Sequence, residues 1–166
     1  LDKLARNISR LREERLIRFA TLDTFSGEAT YLAGIRECCF DAMYVNLNPA
    51  DCLPLERAIP AAADRGMAVF ARECFMKGAL FAMGEEIGLT DRARLARVAL
   101  KWCLTREGVT SAMVGARSAE EMRADLEALD DLALSDEDQV LLATLETSPR
   151  FQEYAARKRQ QWQQAL

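Results

Sequence analysis

The stretch GVTSAMVGARSAEEMRADLEAL, residues 108–129, reads as one strand and one helix in series. Gly108 breaks whatever precedes it, and residues 109–115 form a short, mainly apolar run of strand length. Ser118 and Glu121 then have the spacing of a capping box, in which a serine takes the N3 amide and an acid three residues on reaches back. A helix is therefore expected from there to about Leu129, and SDED from Ser135 opens another to about Thr147. Upstream, DRARLARVALKWCLTR, residues 91–106, places Leu95, Val98, Ala99 and Trp102 on one helical stripe, with Thr90 as the expected N-cap.

The same alternation recurs toward the amino terminus. Strands are expected at 17–22, 40–47 and 67–72, and helices at 3–15, from Ser26 and Gly27 to Cys38, and at 54–65. Pro54 suits a helix start, whereas Pro60 inside the same segment predicts a kink or a later start. Gly66 has the place of a C′ residue, and Glu73 to Leu89, with three glycines, reads as a long connection. Val45, Val69, Phe70, Val109 and Met113 are the expected core, and the charged, glutamine-rich end, 150–165, reads as a surface helix or a frayed tail. The strands are apolar without clean alternation, the pattern of a parallel sheet. Four βα units in series imply right-handed crossovers, hence part of a TIM barrel or an open doubly wound sheet. No G-x-G-x-x-G follows any strand, which weakens the second choice.

Composition narrows the function classes. The 166 residues carry a formal charge of −4 and no histidine. The first fact gives nucleic acid and anionic membranes no basic face to bind. The second removes histidine-based metal sites and serine–histidine chemistry. No apolar run approaches the ~20 residues of a membrane helix. Five cysteines without regular spacing point to reduced thiols and a cytoplasmic setting. The chain opens on Leu1 inside a helical pattern, from which further sequence upstream is expected.

Residues 108–129 are similar to the last strand and helix of the aldo-keto reductases, where the family writes a G-A-R-S turn before its final helix. LARVALKWCLTREGVTS (95–111), RGMAVFARECFMKGAL (65–80), FDAMYVNLNPAD (40–51) and LIRFATLDTFSGE (16–28) resemble the preceding segments of that family in unbroken order. The resemblance spans residues 1–147 and implies an α/β fold with parallel strands, the second half of a (β/α)8 TIM barrel, followed by a tail at 148–166. It implies an NADPH- or NADH-dependent carbonyl reductase whose Asp, Tyr, Lys and His tetrad lies in the other half. On that reading this chain has cofactor contacts, no catalytic residue and no metal ligand.

The resemblance assigns the nicotinamide contacts to Asp23 and Thr24, to Tyr44 in place of a glutamine, and to Arg72 in place of a stacking ring. Tyr44 equally reads as space-filling and Arg72 as an ion pair with Glu73 or another carboxylate; Asn48 reads as a turn residue. The pyrophosphate loop falls on Glu73, Cys74, Phe75 and Lys77, with Lys77 read first as a surface lysine and second as a counter-charge to Glu73. Cys74 is the thiol nearest the site. Gly115, Ala116 and Arg117 form the phosphate turn, with Glu121 and Asp125 on the adenosine side. Several of these positions carry acid where the family does not, so NADPH binding is expected to be retained, weakened or lost. Three functions follow: a reductase whose carbonyl substrate meets the other half; a catalytically dead relative; and a half-barrel that pairs with itself as a homodimer through open edges.

Overall fold

The computed structural model describes residues 2–24, 26–37 and 39–164. The expected helix end at Cys38 and the last two positions of the tail lie outside the described residues. Four parallel strands, β1 (Thr21–Leu22), β2 (Ala42–Asn46), β3 (Ala68–Arg72) and β4 (Ser111–Ala112), pair in chain order. Helices α1 (Asp2–Glu13), α2 (Glu28–Arg36), α3 (Ala58–Asp64), α4 (Ala79–Glu86), α5 (Arg92–Leu104), α6 (Ala119–Leu126), α7 (Asp136–Leu145) and α8 (Pro149–Gln163) complete the order.

The outer strands are shorter than expected. At β1 the Ala20 carbonyl still accepts from the Asp41 amide at 2.8 Å, but its own amide donates to the Asp41 carboxylate at 2.7 Å, and regular pairing covers only Thr21 and Leu22. Around β4, Thr110 and Met113 still donate to the Val69 and Ala71 carbonyls, but regular pairing covers two residues. Pro60 is the third residue of α3, which starts at Ala58 after a 3₁₀ turn, Leu53–Leu55, with Pro54 inside it. The later start resolves the proline conflict, because a third-position amide has no partner within the helix. Gly66 closes α3 at φ 68°.

One face of the sheet is closed. Leu22, Met43, Val45, Val69 and Ala71 pack under α2, α3 and α5 with Ile35, Ile59, Ala62, Leu100 and Cys103. Val45 and Val69 are buried as expected, and Val109 is partly buried against the same cluster. Phe70 and Met113 are not core residues. Phe70 is half-buried and Met113 is 50% exposed, because strand alternation turns both to the face opposite the helices. A second core joins α4, α5, α7 and α8 through Leu80, Met83, Val98, Leu145 and Phe151.

Three further expectations change. Asp91, not Thr90, caps α5, its carboxylate accepting from the Arg94 amide at 3.0 Å. The connection 73–89 contains α4. The tail is an ordered helix with Phe151, Tyr154 and Lys158 buried.

Candidate functional site

The carboxyl ends of parallel strands are where α/β folds gather ligands, and the sequence-assigned residues fall there in two groups. The first group lies on the open sheet face. Strand pairing sets Tyr44 beside Phe70 and Asn46 beside Arg72, with ring centroids of Tyr44 and Phe70 5.4 Å apart. Arg72 pairs with Asp23 at 2.7 Å, donates from Nε to Asn46 Oδ1 at 2.8 Å and reaches the Thr24 carbonyl at 3.3 Å. The ion-pair alternative for Arg72 is thus the one seen, with Asp23 rather than Glu73 as partner.

Helix α8 crosses this end of the sheet. Trp162 meets Tyr31 with centroids 5.3 Å apart, and Tyr31 donates to the Thr24 and Tyr44 carbonyls. Burial pushes the Tyr31 phenol up to about 12, which keeps it a donor. Only about 40 Å³ remains between Thr24, Asn46, Asp51, Lys158 and Trp162, room for a few water molecules.

Lys158 carries the attachment of α8. Its ammonium lies 2.8 Å from the partly buried Glu73 and 3.3 Å from the buried Asp51. Tyr154, one turn earlier, donates to Glu73 at 3.3 Å. Burial works against the Glu73 carboxylate, but the hydrogen bond and charge of Lys158, with Lys77 at 3.1 Å, hold it below the usual range. Asp51 goes the other way: burial raises it more than Lys158 lowers it. Lys77 satisfies both of its readings, lying on the surface and pairing with Glu73, while the buried partner of Glu73 is Lys158. Asn48 fixes the turn beneath, donating to the Glu73 carbonyl and accepting from the Ala50 amide.

The second group lines a cleft of about 760 Å³ between the loop after β3 and the start of α6. Glu73, Phe75, Lys77, Gly115, Arg117, Glu121 and Asp125 all reach it; Ala116 does not line it. Sequence reasoning missed Arg92 and Phe81, whose guanidinium and ring stack at 4.1 Å on the cleft wall. Phe81 lies on α4, a segment read as loop, and Arg92 is the first residue of α5. Glu73, Met76 and Lys77 hold positive φ of 54–58° and Gly78 of 90°, which folds the loop tightly enough to form the rim. A side chain at Gly78 or Gly115 would meet nothing within 4 Å, so both present bare backbone to open space. Cys74 is 1% exposed and its thiol neighbour is Cys103, not Lys77, so it offers the cleft no accessible nucleophile. No disulfide joins the described cysteines.

At the start of α6, Ser118 accepts from the Glu121 amide. The Glu121 carboxylate does not return to Ser118, as a full capping box requires. It accepts from the Arg117 amide at 2.8 Å and from the Arg117 guanidinium at 2.8 Å. The reciprocal box forms instead at Ser135 and Asp138 on α7. Burial, then the Glu121 charge, raises Asp125.

The cleft has the size and bare backbone that an adenosine diphosphate group needs, and Lys77 at its rim. Its Arg117 corner is already filled by a carboxylate, which does not fit an additional phosphate there. Among the described residues no cluster of three metal-binding side chains exists, and no helix is long and apolar enough to cross a membrane.

Comparison with known proteins gives the lineage. No curated protein matches the chain. Among solved structures, aldo-keto reductase AKR11C1 from Bacillus halodurans matches in its holo and apo forms at TM-score 0.68 and 19% identity, over 87% of this chain. A thermostable aldo-keto reductase, Tm1743, solved with the inhibitor epalrestat, matches at TM-score 0.61 and 21% identity over 83%. The chain spans 52–56% of the length of these neighbours, so the likeness establishes about half of their barrel. The profile of the aldo/keto reductase family matches residues 28–146, and the chain belongs to that family.

Proposed function

We propose that this chain is the nucleotide-binding half of an NAD(P)H-dependent carbonyl oxidoreductase and carries none of its catalytic tetrad. The observation that supports this is the convergence of seven sequence-assigned residues on one cleft of about 760 Å³. The cofactor would supply the hydride, and the chain would hold its adenosine and pyrophosphate end. Fluorescence titration of NADH and NADPH into the chain tests it. Saturable binding of at least one is expected, with no turnover of an aldehyde by the chain alone. Absence of binding of either at millimolar concentration would sink the reading.

A second reading is a half-barrel that closes by pairing with a second copy. It draws on the open sheet face, where Tyr44 and Phe70 are half-buried and Met113 is half-exposed, and on Leu16 and Phe19, 67% and 69% exposed beside β1. Sedimentation velocity across concentration separates the two readings: a dimer of about twice 18.6 kDa favours this one, and a monomer throughout removes it.

A further inference from the structure

The charges of the cleft are unevenly spent, and that asymmetry bears on which nucleotide it takes. Three cations and four carboxylates line it. At the β3 rim, Glu73 is held by both Lys158 and Lys77. Lys77 is 73% exposed at its side chain, so it can turn to a phosphate while Lys158 keeps Glu73 paired. The α6 end has no such reserve. Glu121 takes both the amide and the guanidinium of Arg117, standing where an incoming phosphate would have to bind. Asp125, one helical turn along, has no cation partner among the described residues, and Glu120 adds a carboxylate that pairs with Arg123 at 3.6 Å. Arg92, the remaining cation, is stacked on Phe81 and paired with Glu85 at 3.4 Å.

We propose that the cleft takes an adenosine dinucleotide with a free ribose 2′-hydroxyl and rejects the 2′-phosphorylated form. This rests on the nucleotide-binding reading above. A hydroxyl donates to a carboxylate such as Glu121 or Asp125 at no cost in charge, which is how acidic residues select NAD in other folds. A 2′-phosphate would face those carboxylates with Arg117 already paired to Glu121, Arg92 to Glu85 and Arg123 to Glu120, and like charges at close range repel. The pyrophosphate keeps its own counter-ion in Lys77, at the opposite end.

Calorimetric titration of the 166-residue chain with ADP-ribose and with 2′-phospho-ADP-ribose, at one fixed salt concentration, tests this. ADP-ribose is expected to bind at least tenfold more tightly. Glu121→Gln, which frees Arg117, is expected to improve the 2′-phosphate ligand at least tenfold and to leave ADP-ribose equal or weaker. Equal or tighter binding of the 2′-phosphate ligand by the unaltered chain overturns the selectivity while leaving the nucleotide site in place. Absence of binding of both ligands overturns the nucleotide site itself, and the selectivity with it. Circular dichroism of the Glu121→Gln chain confirms that its fold is intact; should it fail to fold, Asp125→Asn replaces it, with the same outcome expected.

Discussion

Lys158 holds two carboxylates that are largely shielded from water, with Asp51 5% and Glu73 9% exposed at their side chains. Lys158→Met is expected to cost about 3 kcal/mol by urea denaturation, because removing one partner of a buried pair strands the other charge. The two acids then differ in sign. Glu73 is depressed, so its contribution is present above the unfolded value of about 4.3 and is lost as pH falls through its folded value. Asp51 is raised, so its contribution is present below about 3.9 and is lost as pH rises through its folded value. Asp51→Asn is therefore expected to stabilise the chain at pH 7, with the gain vanishing as pH is lowered toward 4; a loss of stability at pH 7 would show that the pairing with Lys158 outweighs burial. On the cleft wall, a Cβ added at Gly115 meets no protein atom within 4 Å, so Gly115→Val is expected to be accommodated. Its melting temperature should stay within about 2 °C, while nucleotide affinity should fall at least tenfold as the side chain fills the space over the backbone. Arg117 and Asp125 were reached through the resemblance of residues 108–129 to the family's last strand and helix, and both line the cleft. Lys158 was not reached, because it meets Glu73 85 positions away and its own neighbourhood reads as a solvated, charged helix.

At the scale of elements, the sequence showed how many strands there are and in what order, but not how long they run. Periodicity registers where apolar residues stand, whereas the end of β1 is set by the Asp41 carboxylate taking the Ala20 amide. Helix α4 was hidden by Gly78, Gly84 and Gly88, which together read as a loop. Gly84 is instead a packing residue: a Cβ there would lie 2.6 Å from the Leu89 carbonyl oxygen and 2.5 Å from Leu95. The tail showed neither a clear apolar stripe nor its start signal, yet Ser148 caps α8. Its hydroxyl accepts weakly from the Phe151 amide at 3.4 Å and donates to Glu86 at 2.5 Å, and it is fully buried. Ser148→Ala is expected to cost about 1–2 kcal/mol, the range for a lost N-cap, measured by thermal or urea unfolding. An unchanged stability would mean that α8 is held by its side chains alone.

For the whole molecule, the parallel order β1-β2-β3-β4 leaves each outer strand with one neighbour among the described residues. Strand order and lineage were legible together, since the unbroken βα order and the resemblance carried by the G-A-R-S turn point to the same half-barrel. What sequence could not show is how the expected cofactor residues divide. Asp23, Thr24, Tyr44 and Arg72 share the sheet face that α8 crosses, and the phosphate and adenosine residues share a separate open cleft. That division depends on where a helix of 15 residues comes to rest, a tertiary outcome with no local signature.

The most direct measurement is hydrogen exchange of the chain with and without NADH. Slowed exchange confined to residues 73–78 and 113–121 is the expected result, since nucleotide in the cleft covers those backbone amides. Protection elsewhere, or a bound nucleotide that leaves those segments unprotected, would contradict the placement of the site.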